Sequence, residues 1–334
     1  CLTDRATLVE QALAATAWAD WQRTPLAGDA SARRYLRLFN LKDGATAILM
    51  DAPTGNGEDT RPFLAIAQHL NTIGLAAPRV FFADTELGLL ILEDLGDDLF
   101  ARWLETQPQD AEMLYRAAVD VLVAIGNTDP PSGLQRLDPK TAAQMTGLAT
   151  LWYATNAAKD DQDAIITTLE TALRRFAGGP YTLALRDYHA ENLVWRPEKS
   201  GTDRVGLLDF QDALLAHPAY DLVSLLRDAR RDISPQLRTN TRDYFARQTG
   251  MEPTALDRAC AVLGVQRNLR ILGIFARLAQ RDGKRRYIDL IPRVWAHLMD
   301  DLDHPDLKDL REIILRVLPE PDAETLLRLG KANA

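Results

Sequence analysis

Two short polar stretches decide how this chain is interpreted: RDYHAEN at residues 186–192 and LLDFQD at residues 207–212. An apolar run at 182–185 precedes the first stretch, and two further short apolar runs, at 193–196 and 204–208, follow it and lead into the second. This pattern predicts a strand, a polar loop, and a hairpin whose second arm ends at the last acidic residues. An aspartate and an asparagine five residues apart are thus followed, across a hairpin, by another aspartate.

Three side chains in these stretches match the needs of phosphoryl transfer to an alcohol. Asp187 can orient an acceptor hydroxyl and take its proton. Asn192 and Asp209 supply an amide and a carboxylate oxygen that can hold Mg²⁺ against nucleotide phosphates, whose charge must be neutralised in the transition state. A single aspartate in a loop is more typical of a solvated turn or a cap. The combined spacing, together with PAYDL at residues 218–222, favours the catalytic interpretation.

These stretches, with HPAYDL at residues 217–222, resemble the signature of the aminoglycoside phosphotransferase and choline kinase superfamily, which is related to the protein kinases. Within it, YDLVSLLRD at 220–228 and QRNLRILGIFARL at 266–278 resemble the bacterial kinases of N-acetylmuramate and N-acetylglucosamine. The resemblance implies Mg²⁺, ATP or GTP as co-substrate, the anomeric hydroxyl of an amino sugar as acceptor, and a role in peptidoglycan recycling. It also implies that Asp221 is structural and braces the catalytic loop from a helix.

The two halves of the chain differ in their predicted secondary structure. Short strands and one helix are predicted up to residue 95, including three strands within 21–51 and two more at 79–83 and 88–93. Helical periodicity dominates afterwards, for example at 111–125, 142–156 and 256–278. We therefore predict an α+β, protein-kinase-like fold of two lobes. A small β-rich nucleotide-binding lobe spans 1–95, and a larger helical lobe for catalysis and acceptor binding spans 96–334.

The resemblance also implies where a nucleotide binds. In kinase-like folds the turn between the first two strands covers the phosphates, and the small residues of that turn allow backbone N–H groups to approach them. Adenine is held by main-chain groups of the connector between the lobes, which corresponds to residues 90–96. The predicted nucleotide-binding residues are Gly28, Asp29, Ala30, Ser31, Glu93 and Leu95. A plain hairpin turn is the alternative interpretation of residues 28–31.

Two positions depart from the superfamily pattern. Leu185 stands where a histidine is common, and Met50 or a neighbour stands on the third strand where a phosphate-pairing lysine is expected. A methionine on a strand is typical of the core. Another cation would then have to meet the phosphates, and Arg33, Arg34 or Arg37 could do so, although arginines on exposed strands are typically solvated.

The acceptor is expected beside the catalytic loop, where we assign His189, Asp212 and Arg270 to its binding. Residues 266–286 are rich in arginine and lysine, which favours a neutral or anionic acceptor over a polycation. Some of these cations are also expected on an outer helix face, paired with carboxylates. An ordinary hydrogen bond to backbone is an equal alternative for His189.

Composition excludes several other classes of function. The chain has 334 residues and a net charge of −8, from 47 acidic and 39 basic residues, which argues against nucleic acid as a partner. No uninterrupted apolar run approaches a membrane span, and two cysteines give no disulfide framework, so we expect a cytoplasmic protein without a secretory signal. Two alternatives stay open: an aminoglycoside- or choline-type kinase, and a non-catalytic nucleotide-binding scaffold.

Overall fold

The structure is a computed structural model that describes residues 5–26 and 33–331. Packing divides the chain into two compact units. Unit 1 comprises Cys1–Trp103 and Glu191–Asp212, and unit 2 comprises Leu104–Ala190 and Ala213–Ala334. These units are defined by packing. The predicted functional division into a nucleotide-binding lobe at 1–95 and a catalytic lobe at 96–334 stays a prediction.

Unit 1 contains a five-stranded antiparallel sheet with the strand order β1-β2-β3-β5-β4. Its strands are β1 (Gln22–Pro25), β2 (Arg34–Phe39), β3 (Thr46–Asp51), β4 (Val80–Asp84) and β5 (Leu89–Glu93). Two helices accompany them, α1 (Arg5–Ala14) and α2 (Arg61–Thr72). The tight turn between β2 and β3 is possible because Gly44 adopts a positive φ of 75°. Leu38, Leu49 and Ile91 form the core with Val9 and Leu13.

A hairpin from the second segment of the chain completes unit 1. Strands β7 (Leu193–Trp195) and β8 (Val205–Leu207) pair in antiparallel fashion, as the sequence predicted. The N–H of Trp195 donates to the carbonyl of Asp98 at 2.7 Å, and the N–H of Leu207 donates to that of Ala76 at 2.9 Å. The Trp195 ring also packs edge-on against Phe100. Backbone and aromatic contacts therefore attach the hairpin to the first hundred residues.

Unit 2 is mainly helical. Strands β6 (Thr182–Ala184) and β9 (Leu214–Ala216) form a small antiparallel pair within it. The helix α3 (Phe100–Thr106) crosses from unit 1 into unit 2. The other helices are α4 (Ala111–Gly126), α5 (Pro139–Gln144), α6 (Lys159–Ala177), α7 (Tyr220–Leu226), α8 (Pro235–Thr249), α9 (Pro253–Gln280), α10 (Ile291–Leu302), α11 (Lys308–Val317) and α12 (Ala323–Leu329).

The centre of unit 2 is α9, which begins with Glu252 as N-cap and Pro253 in its first turn. Among the described residues it is the one helix long and apolar enough to cross a membrane, but 78% of its most apolar window is buried in the protein. Such burial is typical of a core helix. A Cβ at Gly273 would lie 2.3 Å from the carbonyl carbon of Leu148, so only glycine allows this close approach.

The structure corrects the prediction of a helix at residues 142–156. Residues 142–156 were expected to form a continuous helix, but α5 ends at Gln144 and a π-helix follows at Ala149–Tyr153. The prediction was wrong because periodicity reports which face is apolar and not how the backbone hydrogen bonds are spaced. Packing against α9 at Gly273 is a tertiary constraint that the local sequence does not carry.

Candidate active site

The loop that carries Asp187 follows β6 in unit 2. Arg186, just before it, adopts a positive φ of 72°, which is uncommon for a residue other than glycine. The carboxylate of Asp221, in the first turn of α7, accepts hydrogen bonds from the backbone N–H of Leu185 at 2.6 Å and of Arg186 at 3.0 Å. The polypeptide immediately before Asp187 is therefore tied to a helix, although the histidine common at position 185 is absent.

The Arg186 carbonyl is held from two further helical positions. The hydroxyl of Ser224 on α7 donates to it at 2.9 Å, and Nη1 of Arg267 on α9 donates to it at 3.2 Å. Asp221 is only 3% exposed. Burial raises the pKa of Asp221 to about 7, although the hydrogen bonds from Leu185 and Arg186 and the charge of Arg267 act in the opposite direction. The strained backbone at Arg186 is thus fixed on both its N–H and its carbonyl side.

Two residues predicted to bind the acceptor lie in the same unit as Asp187. His189 is 7% exposed, and burial lowers its pKa to about 4, so the imidazole is neutral at neutral pH. Arg270 lies one turn beyond Arg267 on α9. Burial and the nearby charges of Arg186 and Arg267 lower the pKa of Arg270, whereas Tyr220 and Asp187 act to raise it. Within the described residues the Arg270 guanidinium has no hydrogen bond or ion pair, so it can receive an anionic ligand.

The two predicted metal ligands meet in unit 1. Asn192 and Asp209 are 17 residues apart, yet Nδ2 of Asn192 donates to Oδ2 of Asp209 at 3.4 Å. The N–H of Leu208 donates to the Asn192 carbonyl at 3.0 Å, which continues the pairing of the hairpin. Asp209 has a positive φ of 58°, and Nε2 of Gln211 donates to its Oδ1 at 2.7 Å. The hairpin register thus places the amide beside the carboxylate.

The chemistry of this pair fits Mg²⁺, which prefers oxygen ligands and keeps several waters or phosphate oxygens. Asp209 is exposed and Asn192 is half-buried, so both oxygens are accessible to a hydrated cation. Within the described residues no group of three His, Cys, Asp or Glu side chains forms a metal site. A cation held here would therefore take most of its ligands from the nucleotide and from water.

The remaining predicted site residues lie in unit 1, and some of them fall outside the residues that the structure describes. Gly28, Asp29, Ala30 and Ser31 lie outside the described residues. Glu93 ends β5, where its N–H donates to the Arg79 carbonyl at 2.8 Å, and Leu95 follows it in the connector. Asp212 is exposed at the end of the segment that belongs to unit 1.

The structure distinguishes among the cations proposed to replace the strand lysine. Met50 has no exposed surface and is a core residue, as expected. Arg37 is engaged by Asp94 and Asp97, each at 2.7 Å. Arg34 is exposed. Arg33 forms an ion pair with Glu58 at 2.8 Å.

Comparison with known proteins shows the family of this chain. A model of the phosphotransferase enzyme family matches residues 22–261. This chain belongs to that family. It is 38% identical to an N-acetylmuramate/N-acetylglucosamine kinase of Caulobacter vibrioides, over 92% of this chain and 95% of that protein. It is 31% identical to a Pseudomonas aeruginosa protein of the same name, over 87% of each chain.

Membership of the phosphotransferase enzyme family confirms the predicted resemblance, and the chain is an enzyme that uses a hydroxyl group as acceptor. The family also implies a nucleotide as phosphoryl donor. An ethanolamine kinase of Plasmodium vivax is similar in structure, with a TM-score of 0.66 and 11% identity over 92% of this chain and 88% of that one. This likeness concerns the fold, and it confirms the predicted kinase-like α+β class.

Sequence reasoning did not foresee two contacts close to the predicted site residues. Gln211 was quoted as part of the motif, but its hydrogen bond to Asp209 was not foreseen. The contact between Arg33 and Glu58 spans 25 residues and has no periodic signal. The only hint was the missing lysine on β3, which required a cation elsewhere.

Proposed function

We propose that this enzyme is a Mg²⁺-dependent kinase that transfers the γ-phosphoryl group of ATP, or of GTP, to the anomeric hydroxyl of N-acetylmuramate or N-acetylglucosamine. It would act in the cytoplasm, in peptidoglycan recycling. The observation that carries this proposal is the 38% identity, over almost the full length of both chains, to a kinase of that name. The meeting of Asn192 with Asp209 and the fixed backbone before Asp187 supply the matching chemistry.

In the proposed mechanism, the Asp187 carboxylate accepts the proton of the anomeric hydroxyl. The sugar oxygen then forms a bond to the γ-phosphorus as the bond from that phosphorus to the β,γ-bridging oxygen breaks, and the nucleoside diphosphate leaves. Asn192 and Asp209 would hold Mg²⁺, which neutralises phosphate charge when bound. Asp221 would act only through the loop, by fixing the backbone on which Asp187 stands.

The nucleotide would be held by main-chain groups at both of its ends. The N–H groups of Gly28, Asp29, Ala30 and Ser31 would cover the phosphates. The carbonyl of Glu93 and the N–H of Leu95 would meet adenine, because the Glu93 N–H is already bonded to Arg79. Side chains in the connector would then contribute little to affinity.

Charge at the catalytic loop supports an acceptor that is anionic or neutral. Arg270 makes no hydrogen bond or ion pair among the described residues, and the charges of Arg186, Arg267 and Asp187 all act on it. A polycationic aminoglycoside would be repelled there, whereas the carboxylate of N-acetylmuramate would be attracted. His189 and Asp212 complete the proposed acceptor set, with His189 as a neutral hydrogen-bonding group.

Product analysis tests this function. The purified protein is incubated with ATP or GTP, Mg²⁺ and one acceptor at a time: N-acetylmuramate, N-acetylglucosamine, choline or an aminoglycoside. We expect a sugar phosphate whose phosphorus NMR signal couples to the anomeric proton, formed roughly 100-fold or more slowly by the Asp187→Asn variant. Phosphorylation of choline or the aminoglycoside but of neither sugar would contradict the proposal.

A further inference from the structure

The third strand of unit 1 poses a problem of charge. Kinase-like catalysis requires a cation on the nucleotide phosphates, and protein kinases use a lysine on this strand that pairs with a glutamate of the following helix. Here β3 reads TAILMD and contains no cation, and Met50 has no exposed surface. The positive charge must therefore come from a residue outside β3.

Arg33 has the environment of such a residue. It lies directly before β2, and its Nε donates to Oε2 of Glu58 at 2.8 Å. The side chains are only 10% and 18% exposed, so this ion pair is shielded more than an ordinary surface pair. Glu58 stands three residues before α2. An ion pair between a cation and a glutamate near this helix is thus present in unit 1. The cation is Arg33, which lies directly before the second strand and not on the third.

Tyr35 links this ion pair to the proposed metal site. The charge of Arg33 also acts on the Tyr35 hydroxyl, so the two side chains are neighbours on the same face. Burial raises the pKa of Tyr35, the charge of Arg33 lowers it, and the charge of Asp209 raises it, so the hydroxyl is near both charged groups. Tyr35 also lies opposite Met50 in the ladder between β2 and β3. Arg33 is therefore on the side of unit 1 that holds Asp209.

The other arginines of this region do not meet these conditions. Arg37 points to the same face as Arg33, but two carboxylates, Asp94 and Asp97, already surround it. Arg34 points to the opposite face and is exposed. Arg33 has five N–H donors. Its contacts with Glu58 and Tyr35 leave Nη donors for a ligand.

We propose that Arg33, oriented by Glu58, binds the phosphates of the nucleotide and replaces the strand lysine of other kinase-like enzymes. This inference rests on the proposed use of a nucleoside triphosphate, but not on the identity of the acceptor. A guanidinium can bind two phosphate oxygens at once, which an ammonium group does less well. Arg33 also follows closely the turn at 28–31 that is expected to cover the phosphates.

Nucleotide affinity without an acceptor tests this role. Calorimetry measures the binding of ATP, ADP and adenosine to the full chain in the presence of Mg²⁺. Arg33→Met should weaken ATP and ADP by about 10- to 100-fold, the effect of losing one or two charge-assisted hydrogen bonds, and leave adenosine unchanged. Arg33→Lys should recover part of the loss, and Glu58→Gln should cause a smaller one because the guanidinium is no longer oriented.

Arg61→Met is the matched control. Arg61 also pairs with a carboxylate at the start of α2, that of Asp59, but it is 77% exposed, so its variant should bind all three ligands normally. Unchanged ATP affinity in Arg33→Met, or an equal loss of ATP and adenosine, would overturn the inference. If Arg33→Met does not fold, Arg33→Lys and Glu58→Gln test the inference by the same comparison: the loss of ATP affinity relative to any loss of adenosine affinity. A wild-type chain that binds ATP but phosphorylates no sugar would refute the acceptor and leave this role intact.

Discussion

The buried carboxylate of Asp221 should make the stability of unit 2 depend on pH, and Asp221→Asn should remove that dependence. Burial raises the pKa of Asp221 from 3.8 to about 7, despite the opposing hydrogen bonds from the N–H groups of Leu185 and Arg186. A difference of this size between folded and unfolded chains corresponds to about 4 kcal/mol of unfolding free energy.

The sign of the effect follows from proton binding. Between these two pKa values the folded state binds more protons at Asp221 than the unfolded state, so the free energy of unfolding falls as pH rises. The stabilisation by the protonated carboxyl is fully present below about pH 4 and is lost as pH rises through about 7. Asparagine does not titrate. The free energy of unfolding of Asp221→Asn, relative to that of wild type, should therefore increase by up to about 4 kcal/mol as the pH is raised from acidic to slightly basic.

Urea unfolding of both proteins at about pH 4.5 and about pH 8 measures this change. Burial also raises the pKa of Asp301 to about 7, but Asp301 titrates in both proteins and cancels in the difference. If wild type and Asp221→Asn differ in unfolding free energy by the same amount at both pH values, the reasoning is refuted.

Activity should change in the opposite direction to stability. An asparagine can accept from only one of the two N–H groups and directs its own amide toward the other, so the positive φ of Arg186 is no longer held. We expect kcat for the amino sugar to fall by about 10- to 100-fold, with a smaller change in ATP affinity. A variant that is both more stable at basic pH and fully active would show that the loop does not need Asp221.

Two further substitutions follow from the site and from the packing of α9. Asp187→Asn should lower kcat by roughly 100-fold or more and leave ATP affinity unchanged, measured by turnover and calorimetry; turnover close to wild type would remove Asp187 as the base. Gly264→Ala would place a Cβ 2.1 Å from Oδ2 of Asp301 and should lower the unfolding free energy by about 1–3 kcal/mol in urea. Gly126→Ala is its control, since nothing lies within 4 Å of the added Cβ, and an equal loss there would contradict the steric explanation.

The parts of the site that the sequence predicted depend on local patterns. The hairpin arms were expected at 193–196 and 204–208 and are observed at Leu193–Trp195 and Val205–Leu207. Short continuous apolar runs bounded by polar turn residues predict such a hairpin, and its register then brings Asn192 to Asp209. The buried Met50 was likewise foreseen, because a methionine on a strand is typical of the core.

The parts that the sequence did not predict depend on pairs that are distant along the chain. Arg33 finds Glu58 through the fold of unit 1, and three arginines on β2 or just before it look alike until their partners are known. The first helix, α1, was not foreseen, and its Arg5 reaches Asp51 at the end of β3. The interruption between α5 and the π-helix likewise lies beside a distant element, because Leu148 packs closely against Gly273 of α9. Propensity cannot report such contacts, because they arise only after the elements pack.

The hairpin of β7 and β8 has a consequence for how the protein is made. During synthesis the five-stranded sheet emerges first, but unit 1 is complete only when the ribosome has added Asp212, well after the first segment of unit 2. Until then the carbonyls of Ala76 and Asp98 lack their N–H partners, and Phe100 lacks Trp195. Nascent chains that end before Glu191 would therefore expose an unfinished edge, and they would be natural substrates for chaperones that act on the ribosome.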